Sequence, residues 1–354
     1  MERRKEKEKE FERKHCFTIM ECFCKHNLNR KGESLIITVL LFLWIHKIKQ
    51  WPCLYTTNLF QQFTMVDYFF KSYSYVNKIM FMPQPSTYDE TKQNLIWIPK
   101  STHTPHPLPA VYVQVSDPEY IVIYSHGNAM DIGFVEYIAA DFSSLHANFL
   151  GFEYTGYGIE QSGQTPSEYT AQRDMRAVYH FVREKLNWPA DRIILYGQSI
   201  GSGVACYGAN YAKERCGEDI MALILHSPYT SIRQLAVAIA GSVGNLIADR
   251  FNSHYLLQKK LTCPLLLAHG NNDQVIPFSM SEKLIADAQS PLKALHTAHR
   301  KGHNDMSTKQ DLVIPFMNNI LPFLPPRESI PPPPVSCSAF PKDIPVPAGP
   351  IRYS

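Results

Sequence analysis

The run Arg192-Ile193-Ile194-Leu195-Tyr196-Gly197-Gln198-Ser199-Ile200-Gly201-Ser202-Gly203 constrains this chain more than any other. An apolar, strand-like stretch ends in Gly-x-Ser-x-Gly and passes into small residues able to open a helix. The pattern predicts a sharp strand-to-helix turn with a serine at its apex. Glycines two places before and two places after Ser199 leave room for strand and helix to close around that turn. A hydroxyl held this way stands exposed at the carboxyl end of a strand, above a helix N-terminus. Ser202 falls outside the pattern and is the weaker candidate.

A serine hydroxyl is a poor nucleophile at neutral pH; it needs a base to take its proton and an acid to orient the base. After a turn of this kind the partners follow in the order Ser, Asp or Glu, His. Downstream, Leu265-Leu266-Leu267-Ala268-His269-Gly270 reads as a buried strand and Asp273 stands just past its end. Residues 292–299 resemble a shorter strand, and Gly302-His303 lies on the loop after it. Ser199, Asp273 and His303 are therefore the candidate catalytic residues. A single Asp after a strand also serves as a turn cap, and Asp249 and Asp305 are alternative acids. His296 and His299, placed on the strand, read as packing or surface residues. His226 and His269 end strands and read as structural.

Acyl transfer also needs donors for a developing oxyanion. The backbone N–H of Ile200, after the nucleophile, is one. The second should come from the loop after an earlier strand. Ile121-Val122-Ile123-Tyr124-Ser125-His126-Gly127-Asn128-Ala129 fits that loop, and the donor is assigned to Asn128, with Ala129 as the alternative.

At these residues the chain resembles an α/β-hydrolase, and in particular the α/β-hydrolase domain-containing protein 17 family. The likeness rests on Ile79-Met80-Phe81-Met82-Pro83-Gln84-Pro85-Ser86-Thr87-Tyr88, on Ser125-His126-Gly127-Asn128-Ala129-Met130-Asp131, and on Tyr154-Thr155-Gly156-Tyr157-Gly158. It continues through the Ser199 motif, Leu225-His226-Ser227-Pro228-Tyr229-Thr230-Ser231 and Gly302-His303-Asn304-Asp305, covering residues 75–323. The resemblance implies a membrane-bound serine hydrolase that removes palmitate from protein cysteines. Three positions depart from the family pattern. Glu153 stands where Asp is usual, Arg300 and Lys301 stand where small residues are usual, and the N-terminal cysteine cluster is thinned to Cys16, Cys22 and Cys24. These three cysteines are the lipidation candidates.

Composition bears on the organisation. A net charge of +3, mixed along the chain, gives no footprint for nucleic acid, and 45% hydrophobic residues support a large core. Cys206, Cys216 and Cys263 sit in apolar stretches and read as buried free thiols, which favours a reducing compartment. Residues 1–74 form an N-terminal extension, charged at first and then apolar. Its unbroken apolar run, residues 35–45, falls short of the roughly twenty residues a spanning helix needs. The long, acid-rich stretch before it does not resemble a signal peptide. A membrane-surface segment with Trp44 and Trp51 as interfacial rings is the expectation, and a helix packed on the domain is the alternative. Residues 60–80 carry an aromatic stripe at helical spacing, read as packing. Residues 325–354 form a proline-rich tail, expected to be extended or disordered, and a proline-binding domain is a candidate partner for it.

Between these flanks, residues 75–324 alternate strands and helices. The expected class is α/β, a mostly parallel sheet with helices on both faces. Residues 229–260, where α/β-hydrolases carry a lid, are short and apolar, which predicts an open acyl groove. The expected activity is hydrolysis of acyl thioesters or esters without a cofactor or metal, most specifically of S-palmitoyl-cysteine on proteins at the cytosolic face of a membrane, or in the cytoplasm. An esterase, lipase or peptidase on the same fold and a non-catalytic adaptor are the alternatives.

Overall fold

The computed structural model describes residues 77–78, 80–100, 106–160, 162–324 and 329–342. The chain divides into two units, Met1–Met65 and Val66–Ser354. Cys16, Cys22, Cys24, the apolar run 35–45 and nearly all of the aromatic stripe lie outside the described residues.

Eight strands form one sheet: β1 (Leu95–Ile98), β2 (Leu108–Val113), β3 (Tyr120–Ser125), β4 (Ala147–Phe152), β5 (Ile193–Gln198), β6 (Ala222–His226), β7 (Leu265–Gly270) and β8 (Lys293–Ala298). Their spatial order is β1-β2-β4-β3-β5-β6-β7-β8. Only β2 runs against its neighbours; β4 through β8 are parallel. The central strands read as continuous apolar runs because both faces are covered. Alternation sorts their side chains. Ile121, Ile123, Leu195, Leu223, Leu225, Leu265 and Leu267 point into one core, and Val122, Tyr124, Ile194, Tyr196, Ile224 and Leu266 into the other.

The first core is closed by α2 (Glu168–His180), α3 (Ile200–Tyr211), α5 (Ser253–Lys259) and α6 (Ser279–Asp287). The second is closed by α1 (Val135–Phe142) and α7 (Ile314–Asn319). Ser167 opens α2 with a reciprocal cap, its side chain accepting from Thr170 N–H while Thr170 answers its backbone. Between β6 and β7 the chain also makes α4 (Ile232–Ala240), capped by Ser231, and a 3-10 turn, Gly241–Leu246.

From β3 the chain moves to β4 on one side and then returns to β5 on the other. The loops after β3 and β5 diverge at that reversal, which opens a crevice at the strand carboxyl ends, the usual ligand position in such sheets.

Residues 329–342, within the tail expected to be extended or disordered, pack against the domain. Gln114 pairs with Val335 through both halves of its amide (2.8 and 3.2 Å). The Phe340 ring lies 4.9 Å from Phe181, and Phe340 O accepts from Trp97 N–H on the outer strand β1 (3.0 Å). Arg192 holds Ser329 O (2.8 Å). The apolar Val335, Cys337 and Phe340, which follow the proline run, supply the contacts that anchor this segment. Cys216 also differs from expectation: it is half-buried, whereas Cys206 and Cys263 are buried, and burial pushes both of the latter thiols up to about 12.

Candidate active site

β5 ends at Gln198 and α3 begins at Ile200, so Ser199 alone makes the turn. Its backbone sits at φ 53°, ψ −120°, a conformation L residues rarely adopt, at a cost of about 1–3 kcal/mol. Its N–H is held by His226 O on the neighbouring strand (2.9 Å). The flanking glycines are obligatory. A Cβ on Gly197 would stand 2.3 Å from Gly201 O, and one on Gly201 would stand 2.1 Å from Ser125 O. Strand β3, strand β5 and helix α3 therefore meet backbone to backbone. Ser202 is buried and its hydroxyl donates to Ser199 O (2.6 Å), so the rival serine is consumed inside the turn.

Asp273 lies three residues past β7. Its two oxygens have separate duties. Oδ1 accepts from Val275 N–H (2.7 Å) and Ile276 N–H (2.9 Å), which makes the turn; Oδ2 faces two imidazoles. His303 Nδ1 is 2.7 Å from Oδ2, and His303 Nε2 is 3.0 Å from Ser199 Oγ. The loops after β7 and β8 are pressed together: Asn272 N–H donates to Lys301 O (3.0 Å), and a Cβ on Gly270 would stand 2.3 Å from the same oxygen. This contact brings His303 to Asp273. The chain thus joins a hydroxyl, an imidazole and a carboxylate from three loops into one hydrogen-bonded line. Burial alone would raise the Asp273 carboxyl, but bonds from His269, His303 and Ile276 N–H outweigh it and hold the group well below the usual carboxylate range. Asp273 is accordingly ionised beside His303 at neutral pH.

The other candidates lie elsewhere. Asp249 accepts from Asn252 in the cap of α5, and Asp305 accepts from Gly302 N–H within its own loop. His296 points to Asp311 (3.4 Å). His299 falls just beyond β8, not on it, and is exposed. His226 is buried, and burial together with His303 and His269 nearby lowers its pKa to about 3, so it stays neutral.

At the loop after β3, the Asn128 side chain bears on which of the two candidate oxyanion donors is free. Asn128 Oδ1 accepts from Met82 N–H (2.8 Å), Ala129 N–H (3.0 Å) and Tyr157 OH (2.8 Å). Ala129 N–H is thereby occupied, whereas no described residue accepts from Asn128 N–H or Ile200 N–H. These two amides are the ones available to a ligand. Asp131 pins the same loop to the entry segment through Thr87 N–H and hydroxyl (both 2.6 Å). Glu153 braces it from below: Oε1 accepts from Ile132 N–H (2.8 Å) and Tyr88 OH (3.0 Å), and Oε2 lies 3.4 Å from His126. Among the described residues no group of three or more His, Cys, Asp or Glu side chains is placed to hold a metal.

A family model described as serine aminopeptidase, S33, matches residues 116–261, which include Ser199 and stop short of Asp273 and His303. Among curated proteins, the α/β hydrolase domain-containing protein aho-3 of Caenorhabditis elegans is 29% identical over 265 residues, 66% of this chain and 74% of that one. α/β hydrolase domain-containing protein 17B of Homo sapiens is 32% identical over 191 residues, covering 53% of this chain and 62% of the relative. Protein 17C of Xenopus tropicalis is 33% identical over 188 residues, covering 53% of this chain and 57% of the relative. The chain has the α/β-hydrolase fold.

Some features of the site are not legible in the sequence. The side-chain role of Asn128 and the braces from Tyr88, Glu153 and Tyr157 depend on partners 29 to 65 residues away. His269, expected to be structural, places its Nε2 3.0 Å from Asp273 Oδ2. The His-x-x-x-Asp spacing at the end of β7 was the available signal. The lid region also stands on the site. Tyr229 OH donates to Ile200 O (3.3 Å), and a Cβ on Gly203 would collide with Tyr229 and Phe251, so both ends of residues 229–251 rest on the first turns of α3.

Proposed function

We propose that this α/β-hydrolase is a serine hydrolase of acyl thioesters or esters, and that S-acylated cysteine on proteins is its substrate. The observation that carries the chemistry is the line Ser199 Oγ–His303 Nε2 (3.0 Å) and His303 Nδ1–Asp273 Oδ2 (2.7 Å), with Ser199 at the apex of a strained turn. Ser199 attacks the acyl carbon as His303 Nε2 takes its proton. The N–H groups of Asn128 and Ile200 hold the oxyanion, and the imidazolium is stabilised by ionised Asp273. His303 returns the proton to the departing thiol. It then activates water to hydrolyse the acyl-enzyme. No cofactor enters these steps.

Two features support an acyl chain as the group bound. The relatives 17B and 17C are 32% and 33% identical to this chain over 53% of its length, and the lid region next to α3 exposes apolar side chains, with Ile239 56% and Leu246 44% accessible. Attachment through residues 1–64 belongs to the same proposal. A palmitoyl chain is costly to extract from a bilayer, at about 0.8 kcal/mol per methylene, so an enzyme that cleaves it gains from being held at the surface. Acylated Cys16, Cys22 and Cys24 with the run 35–45 would give the two signals that stable anchoring takes. Among the described residues no helix is long and apolar enough to cross a membrane.

The test is labelling by a serine-directed phosphonate, in competition with long-chain acyl thioesters. Wild-type protein should label at Ser199 and the acyl thioester should block it. Absence of labelling in folded protein would favour an adaptor, and competition only by short esters would favour a general esterase. Deleting residues 1–64 should release the protein from membranes and spare hydrolysis of short soluble esters. Continued membrane binding would move the anchor into the remaining chain.

A further inference from the structure

His269 closes β7 and is fully buried, four residues before Asp273. Its Nε2 is 3.0 Å from Asp273 Oδ2 and 3.0 Å from Ile276 O. Both neighbours are acceptors, a carboxylate and a carbonyl, so Nε2 must carry a proton. On the other side of the ring, Nδ1 is 2.7 Å from Ser281 Oγ, a buried hydroxyl on α6. The hydroxyl holds Nδ1 and so fixes the orientation of the ring. The Phe278 ring packs edge-on at 5.7 Å and closes the remaining face.

Asp273 Oδ2 therefore receives two imidazole N–H groups, one from His269 and one from His303, while Oδ1 receives two backbone N–H groups. We propose that His269 is a positioning residue for the triad: a buried N–H donor, its ring held by Ser281, that orients Asp273 Oδ2 and limits how much of its charge reaches His303. The proposal rests on the assignment of Ser199, His303 and Asp273 above. A carboxylate that shares its charge between two donors binds the second less strongly than one that serves it alone. His269 thus makes His303 a weaker base than Asp273 alone would make it, and keeps the carboxylate from swinging out of line. The other ionisable groups around this cluster are His226 at the end of β6 and Asp311 in the turn before α7. Neither touches Asp273 Oδ2.

The experiment is the pH profile of kcat/KM for full-length protein with a soluble ester, for wild type and for His269→Phe, His269→Gln and Ser281→Ala. His269→Phe removes the donor. The acidic limb should move to higher pH by about threefold to tenfold in proton concentration, the scale of one lost hydrogen bond, and kcat should fall while KM stays. Gln reaches Asp273 with an amide N–H and should restore the wild-type limb, which a merely structural role would not predict. Ser281→Ala weakens the polarisation of the ring and should move the limb the same way by less. An unmoved limb in phosphonate-reactive His269→Phe overturns the proposal. Should that variant fail to fold, an unmoved limb in Ser281→Ala overturns it instead. Ser199→Ala in the same assay separates the two levels: if it retains activity, the triad assignment itself fails.

Discussion

β6 and β7 are parallel neighbours, and the segments that leave them are built in opposite ways. After β7 the chain turns at once into a buried knot. Asp273 has both oxygens filled by four N–H donors, and His269 and Ser281 are sealed behind it. After β6 the chain wanders through α4 and the 3-10 turn, and α4 buries none of its nine residues. The contrast separates two physical demands. Proton transfer requires atoms held within tenths of an ångström, which favours saturated polar groups out of water. An apolar chain is bound by unpartnered apolar surface, which needs area more than precision. On the proposed function, reaction class would belong to the β5, β7 and β8 turns, and substrate choice to the segment after β6.

The largest effect should come from the knot. In Asp273→Asn, an acceptor oxygen facing two N–H donors is replaced at one of the two positions by an NH2 group, so donors oppose donors or the turn bonds are lost. Turnover should fall about 10³–10⁴-fold, with a drop in melting temperature from the buried donors left opposed, and His303→Ala should match the loss of turnover. Damage from His299→Ala, with His303→Ala harmless, would move the base elsewhere. An intermediate effect is expected at Asn128. Its Oδ1 takes three donors, so Asn128→Ala leaves Ala129 N–H and Tyr157 OH without their acceptor and frees the loop that presents the Asn128 amide. A loss of about 10–100-fold in kcat should follow, mostly restored in Asn128→Asp, which keeps an acceptor. Equal loss in both variants would argue against the positioning role of Oδ1. The smallest effect belongs to the segment after β6. Ile239→Ser with Leu246→Ser should raise KM for long-chain thioesters severalfold, as lost apolar contact does, and leave short-ester kcat/KM unchanged. A uniform fall for both substrates would tie this segment to the chemistry and dissolve the contrast.

The sequence was most legible where covalent spacing alone sets geometry. Period-two sorting of Ile193, Ile194, Leu195 and Tyr196 between two cores follows from the strand itself. The Ser199 turn is written in glycines whose replacement would put a Cβ 2.1–2.3 Å from a backbone oxygen. Less legible were features that exist only after distant segments meet. Glu153 marks a departure from the resembled family, but its service to Tyr88 OH spans 65 residues. His269 is an ordinary strand-end histidine until α6 delivers Ser281. The tail is proline-rich by composition, yet Val335 and Phe340, which lie between Pro334 and Pro341, supply the apolar contacts that fasten it.

The measurement that bears most directly on this account is mass spectrometry of the acyl-enzyme, trapped by acid quench during turnover of a long-chain acyl thioester. The account predicts the acyl mass on the peptide carrying Ser199, absent in Ser199→Ala and accumulating in variants slowed in deacylation. Acylation of Ser202 or of a cysteine, or steady hydrolysis by Ser199→Ala, would contradict it.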